Sequence, residues 1–425
     1  MIIDSAAEWS ASLNGDWEWE QVKFEERSQL VGFARLLKNR PYLCAHVKVI
    51  EISDSKTILQ VKKHKKWQLL ATFPLMFARK LPAVHRIYLD DGPLHTTPVS
   101  PCFHPSLAEF ASISTVVVRD LTFMSVHPFV RLLLSMPGLR DLTCDGLRWP
   151  QHDVERSQLP LQASSPQLCV LRLLDNDVSP ESTRNAAYKD IAEAFDIMTI
   201  CHTLAEFHLI AQLELVHFID TGLNRLVSRP ESRLRALSLS LSAGGLGVYD
   251  IDQPDLHDWG VQADTQVLSH DLLIRQSQEA NIDLSKQTDL EEFHLTVGHL
   301  DIERSCTWVA VLLKQLELPR LRQCSLRLVS PSDAVNVLAR VSLLLSPALC
   351  ASIDAALTSL PSMTLQHVQL RIEWYTHTRT GSPQERSWRM QLMSRFPALS
   401  NRGVLAIHIS LEDIPSWLVT AEDHT

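Results

Sequence analysis

Four sets of residues have types and spacings that bear on chemistry. His208 and His294 sit in matching contexts, Phe207-His208-Leu209 and Phe293-His294-Leu295, where two imidazoles on one sheet face could share a zinc ion. A stretch carrying Ser238 falls between them in the order of such segments. Two strand spacings of about 4.8 Å would hold them about 9.6 Å apart, too far for shared ligation, so both read as surface histidines. Asp250, Asp252 and Asp255 imitate a calcium loop but lack its glycine and its distant bidentate glutamate, which leaves a solvated acidic loop. Gly244, Gly245 and Gly247 have neither G-x-G-x-x-G spacing nor a P-loop Lys-Ser/Thr, and read as a turn. The eight cysteines (44, 102, 144, 169, 201, 306, 324 and 350) include no C-x-x-C pair. We read them as reduced thiols, with Cys144 and Cys324 standing where neighbouring segments place core Leu or Val. With no G-x-S-x-G elbow and no H-E-x-x-H helix, we expect no enzyme, no cofactor and no metal. The alternative is an α/β enzyme whose site is assembled from distant residues.

Charge restricts the partners further. The net charge of −9 gives no global field to draw the 425-residue chain onto nucleic acid or an anionic membrane. The acidic N-terminus lacks a signal-peptide pattern, and no apolar run reaches about 18 residues, so we expect a cytoplasmic or nuclear chain that does not span a membrane. Lys62-Lys63-His64-Lys65-Lys66 is a basic run. It reads as a solvated loop ahead of a helix over 66–80, the alternative being a nuclear-localisation or phosphate-contacting patch.

The elements that must position any site are seen most cleanly at 125–149, SVHPFVRLLLSMPGLRDLTCDGLRW. Ser125 is an N-cap candidate, and Pro128 falls in the first turn, where its missing N–H is harmless. Phe129, Leu132, Leu133 and Met136 recur at helical spacing. Pro137 ends the helix and biases Met136 towards an extended backbone. The chain then enters a strand with Leu142 and Cys144 inward and Asp141, Thr143 and Asp145 outward.

Similar apolar-x-x-apolar-x-apolar strands start at Trp19, Val47, Val84, Ile113, Leu139, Leu168, Leu204, Leu234, Leu290, Leu321, Leu365 and Val404. At 45% apolar content about 9% of windows fit by chance, so the regular spacing carries the inference. Proline precedes seven of the strands, at Pro41, Pro82, Pro137, Pro166, Pro319, Pro361 and Pro397. Helical stripes fill the gaps, one at Leu30, Phe33, Ala34 and Leu37, another at Trp388, Leu392 and Phe396 behind a capping box from Ser382 to Glu385.

The period breaks twice. One break is an insertion at 242–289 with an expected helix near 265–280, and the other is 333–360, with room for two helices broken near Ser346-Pro347. Alternating helices and strands imply a parallel sheet, and stacked units would bury their apolar sides against each other. The expected fold is therefore an α/β right-handed solenoid, with a curved parallel sheet on the concave face and helices on the convex face. It occupies 17–411, between a poorly ordered segment 1–16 and a tail 412–425, with Trp17 and Trp19 as its capping edge.

These repeats resemble helix-containing leucine-rich repeats. The form L-x-x-L-x-L-x-x-N is completed by Leu168, Leu171, Leu173 and Asn176. More specifically, the segments 22–52, 110–123, 128–149 and 396–409 resemble a group of fungal F-box proteins whose C-terminal part is a degenerate leucine-rich solenoid. That resemblance implies substrate binding within a cullin-type ubiquitin ligase. Docking on the adaptor subunit of that ligase uses a short N-terminal F-box, which is not recognisable here, so the expectation includes an N-terminally truncated member. The resemblance implies no catalytic role, and target binding is the function that remains. Read as the concave wall, the central outward positions are Lys23, Glu51, Tyr88, Val117, Thr143, Arg172, His208, Ser238, His294, Ser325, Gln369 and His408. Tyr88 and Val117 are the expected apolar anchors for an unidentified protein partner.

Overall fold

The computed structural model describes residues 19–53, 68–93, 102–123, 125–149, 166–174, 181–197, 202–214, 218, 222–228, 233–242, 282, 284, 286–298, 307–314, 319–331, 345–359, 364–376 and 385–413. The fold is α/β. Twelve parallel strands form an open sheet in sequence order: β1 (Gln21–Phe24), β2 (Val49–Ser53), β3 (Arg86–Pro93), β4 (Thr115–Thr122), β5 (Asp141–Asp145), β6 (Val170–Leu174), β7 (Glu206–Glu214), β8 (Ala236–Ser242), β9 (Glu292–Gly298), β10 (Gln323–Pro331), β11 (His367–Thr376) and β12 (Leu405–Asp413). All twelve strands expected from the sequence are present. The chain divides into two compact units, Met1–Phe207 and His208–Thr425.

In the first unit, α1 (Arg27–Asn39), α2 (Gln68–Phe77), α3 (Phe103–Ala108), α4 (Val126–Leu134) and α5 (Glu181–Ile197) lie between strands. A buried Gln29 starts α1, its Oε1 accepting from the N–H groups of Glu25 and Glu26 at 2.6 and 3.1 Å. Helix α2 ends earlier than the expected 66–80 because Arg79 turns left-handed, with φ of 63°. Ser125 does hold the N-cap position of α4 with an extended backbone, but its hydroxyl makes no capping bond.

The prolines ahead of strands occupy tight turns. Leu43 donates to Arg40 O at 3.1 Å, Val84 to Leu81 O at 3.4 Å and Leu139 to Met136 O at 3.0 Å, each i+3 to i, with Pro41, Pro82 and Pro137 at position i+1. That position wants the φ proline already has. Successive turns approach so closely at Gly138 that a Cβ would lie 2.7 Å from Ala111 O and 2.9 Å from Ile113 O.

A repeated hydrogen-bond pattern sets the register. Lys48 O accepts from both His85 and Arg86, His85 O from Ser114 and Thr115, Ser114 O from Arg140 and Asp141, and Arg140 O from Cys169 and Val170. One carbonyl thus fixes the entry of the next strand, because a donor shifted by one residue would turn every side chain to the other face. Inward residues pack the core: Leu142 and Cys144 are buried as expected, while Phe24, Phe33, Phe73 and Phe77 form an aromatic cluster with centroids 5.3 to 6.2 Å apart. Such ring pairs add about 0.5–1.5 kcal/mol each beyond their burial.

The second unit contains α6 (Leu223–Ser228), α7 (Thr307–Lys314), α8 (Pro347–Thr358), α9 (Glu385–Ser394) and α10 (Pro397–Asn401). The same entry pattern recurs, with Arg235 O taking Glu291 and Glu292, Glu291 O taking Arg322 and Gln323, and Arg322 O taking Gln366 and His367. Ser346 caps α8 by accepting from Leu349 N at 3.2 Å, at the break expected from Ser346-Pro347. Asp354, buried on α8, accepts from Ala398 N and Leu399 N at 2.9 Å each and so caps α10 from a neighbouring repeat. The segment 1–16, Trp17, Lys62 to Lys66, the glycine turn, the acidic residues 250–255, the helix near 265–280 and the Ser382 box lie outside the described residues.

Candidate functional site

Strand alternation turns one ladder of side chains in each unit away from the core. In the first unit the central positions pair in register across five junctions: Lys23 with Glu51, Glu51 with Tyr88, Tyr88 with Val117, Val117 with Thr143 and Thr143 with Arg172. In the second, Ser238 pairs with His294, His294 with Ser325 and Ser325 with Gln369. His208 lies on β7 and is half-buried.

Two of the expected positions need correction. Gln369 pairs with Ala406, so His408 stands two residues further along and pairs with Arg371. The cause is the short helix α10 and the left-handed Gly403 (φ of 69°) ahead of β12, where Val404 O accepts from Val368 and the usual entry pattern is replaced. A slip of two preserves the face, and His408 remains exposed. Val117 faces outward by alternation but is only 8% exposed. Its short side chain is flanked in register by Tyr88 and Thr143, so Tyr88 is the accessible apolar member of that row.

Charges concentrate around Tyr88. Lys23 Nζ lies 2.6 Å from Glu51 Oε1 and 3.5 Å from Glu25 Oε1, and the Glu51 hydrogen bond holds the ammonium above its usual range. Arg119 places its guanidinium 5.3 Å from the Tyr88 ring centroid and 3.9 Å from Asp90 Oδ1. The Tyr88 hydroxyl accepts from Arg86 at 3.4 Å. Burial pushes the Asp90 carboxyl up to about 6; Arg119 opposes this, and the charge of Glu51 adds to it.

A second constellation lies on β10 and β11. Arg327 and Arg371 pair in register, and Glu373, two residues beyond Arg371, is fully buried between them. Arg327 Nη2 donates to Glu373 Oε2, while Arg371 Nε contacts Oε1. The two arginine side chains remain 44% and 45% exposed. One position along each neighbouring ladder, Thr296 pairs with Arg327 and His408 with Arg371.

Reading one central position per strand missed Asp90, Arg119, Arg327, Arg371 and Glu373. They lie two or four residues further along strands that run eight to ten residues. Continuing the alternation along Arg371-Ile372-Glu373 puts both charges on one face, which is the available signal.

Reactive chemistry finds little geometry. His104 Nδ1 lies 2.7 Å from Ser135 Oγ, but Ser135 gives its proton to Arg131 O at 2.6 Å. His104 Nδ1 must then be the donor, the reverse of a base that activates serine. Burial pushes the Cys324 thiol up to about 12, and also raises Cys144 and Cys350. These are packed side chains, and the nucleophilic thiolate is disfavoured. Among the described residues no group of three or more His, Cys, Asp or Glu side chains could hold a metal ion, and no helix is long and apolar enough to cross a membrane. No family model matches the chain, and no curated protein matches it.

Proposed function

We propose that the chain is a non-catalytic protein-docking solenoid of the leucine-rich-repeat kind, its strand ladder lining a concave wall and its helices the convex side. The observation that carries this reading is the repeated parallel register, which lines up one outward row from Lys23 to Arg172, polar or aromatic except at the buried Val117, and another from Ser238 to Gln369 while the alternate residues are core. A row of this kind suits recognition of a surface, in which aromatic and arginine side chains supply anchors and charges set orientation. Tyr88, with Arg119 beside its ring, is the anchor of the first unit, and Arg172 contributes steering. The resemblance to F-box receptors adds the expectation that the held target is a ubiquitin-ligase substrate.

The test has two arms. A partner captured by crosslinking is titrated against the intact chain and against Tyr88→Ala and Arg172→Glu, with melting temperature as the control for folding. The reading expects weaker binding in both variants at unchanged melting temperature, and unchanged binding in both discards the outward face. Calorimetry with the cullin-ligase adaptor tests whether this chain docks on the ligase: saturable one-to-one heat supports the ligase assignment, and no heat from folded protein leaves a free-standing docking solenoid or an N-terminally truncated receptor.

A further inference from the structure

The two edge strands of the sheet are built differently. In the first unit β1 is four residues long, and its inward Val22 and Phe24 are buried. In the second unit β12 runs nine residues, Leu405–Asp413, and pairs with β11 alone. Its inward Ile407 is buried, but Leu405 and Ile409 are half-buried, whereas the residues they pair with on β11, Val368 and Ile372, are covered. The register with β11 is one to one from Leu405 to Asp413, so no bulge bends this edge, and the stretch from Leu405 to Ser410 carries no lysine and no proline. Bulges, lysines and prolines are among the devices that keep a free edge from pairing.

The helix layer is open at the same end. Helix α9 packs on β12 and α10, and its Met390 and Met393 are 66% and 38% exposed. Arg395, just past α9, donates to Leu345 O ahead of α8, so that side of the helix turns towards the preceding repeat. Met393 lies two residues back and therefore on the opposite side, and no described element follows β12.

Length and depth select the occupant. Val368 N–H donates to Val404 O, so by alternation the N–H and C=O groups of Leu405, Ile407 and Ile409 point away from β11. An extended peptide would pair with this backbone but cover the strand layer alone, leaving Met390 and Met393 bare. A second copy of the same end brings a strand and a helix at matching depths. Nine residues at about 3.4 Å each and two layers about 20 Å deep give about 600 Å² per copy, or about 1,200 Å² in total, which reaches the lower bound of a specific interface. The β1 edge of another copy offers four residues, and its core is already covered.

We infer that β12 and α9 form a homodimer interface, in which the β12 strands of two copies pair antiparallel about a two-fold axis and their α9 helices meet in the helix layer. A two-fold centred on any residue of the strand pairs positions of the same face, so Leu405, Ile407 and Ile409 stay on the core side of a sheet that continues from one copy into the other. This interface is separate from the outward rows of the docking reading and does not depend on it.

The experiment is sedimentation velocity of the full chain from about 1 to 50 µM, with hydrogen exchange at both ends of that range. The monomer gives way to a species of twice its mass, and the amides of Leu405, Ile407 and Ile409 exchange more slowly at the higher concentration, a readout that does not depend on any variant folding. His408→Lys adds a charge on the exposed face of the edge, and Met393→Glu places one in the helix seam; each raises the dimer dissociation constant at least about tenfold. Leu75→Glu, at a comparably exposed apolar residue on α2 of the first unit, leaves it unchanged. A monomer at every concentration overturns the inference, whether its β12 amides exchange fast or, covered by another segment of the same chain, slowly. Species that grow beyond the dimer, as pairing of β12 with β1 would produce, overturn it as well, and so does a dimer that neither variant weakens.

Discussion

Replacing Asp90 with Asn removes a charge that the fold holds in an unfavourable place, and the sign of its effect depends on pH. The carboxyl is raised from its usual 3.8 to about 6, first by burial and then by the neighbouring charge of Glu51, against the pull of Arg119. Between these two values the folded state holds a proton that the unfolded state has released, so stability falls as pH rises through the window. The whole cost is present above about pH 6 and is absent below about pH 4. A displacement of this size corresponds to at most about 3 kcal/mol at 1.4 kcal/mol per pH unit. Asp90 keeps 16% of its side-chain surface and its partner Arg119 keeps 48%, so solvent screening reduces this to about 1–1.5 kcal/mol. The Asn variant loses an attraction to Arg119 worth about 0.5 kcal/mol but gains an amide donor beside Glu51. The net expectation is stabilisation by about 1 kcal/mol at pH 8 and no gain at pH 4.5. Urea melts of parent and variant at the two pH values measure the difference, in which unrelated titrations cancel. Destabilisation at pH 8 as large as that at pH 4.5 would refute the reasoning.

Other expectations concern packing and capping. Asp354→Ala strips two amides at the start of α10 of a buried carboxylate and should cost about 2–4 kcal/mol in chemical unfolding, with Asp354→Asn milder. Trp149→Phe removes the 2.6 Å hydrogen bond from the buried indole to Asp190 and is expected to lower stability by about 1–3 kcal/mol. Gly138→Ala forces a Cβ against two backbone carbonyls of the preceding turn, so its melting temperature should fall clearly. With iodoacetamide at pH 8, mass spectrometry should find exposed Cys102 modified and buried Cys144 and Cys324 protected until the chain unfolds.

The strands were legible because each needs a buried residue at the turn and two more at alternate positions, a demand that Leu139, Leu142 and Cys144 meet in one short run. Leu139 and Leu142 are completely covered, and Cys144 nearly so. The outward row followed from alternation alone wherever the distance from turn to strand was constant. It failed at β12, where α10 and Gly403 lengthen that path and nothing in the Val404 to Ile409 pattern reveals the slip. Burial of Val117 was not legible either, since alternation gives a direction and not the size of the side chains in register on both sides. Glu373 was missed for a related reason: a glutamate on an outward position reads as solvated, and its burial follows from long-range assembly around it. Its contact with Arg327 joins residues 46 apart in sequence.

The strands are arranged in the order in which they are made, from β1 to β12. At about 5–20 residues per second a ribosome delivers a new repeat of some thirty residues every few seconds. Hairpin-scale pairing and short-loop closure take microseconds or less, so each strand meets a finished edge well before its successor emerges. Within each unit, assembly can therefore proceed by accretion during synthesis, and the growing end always carries one unsatisfied edge. A pause just after β5 or β10 would leave a paired, partly buried sheet waiting for its next strand, so codon changes there should alter yield more than changes inside a helix.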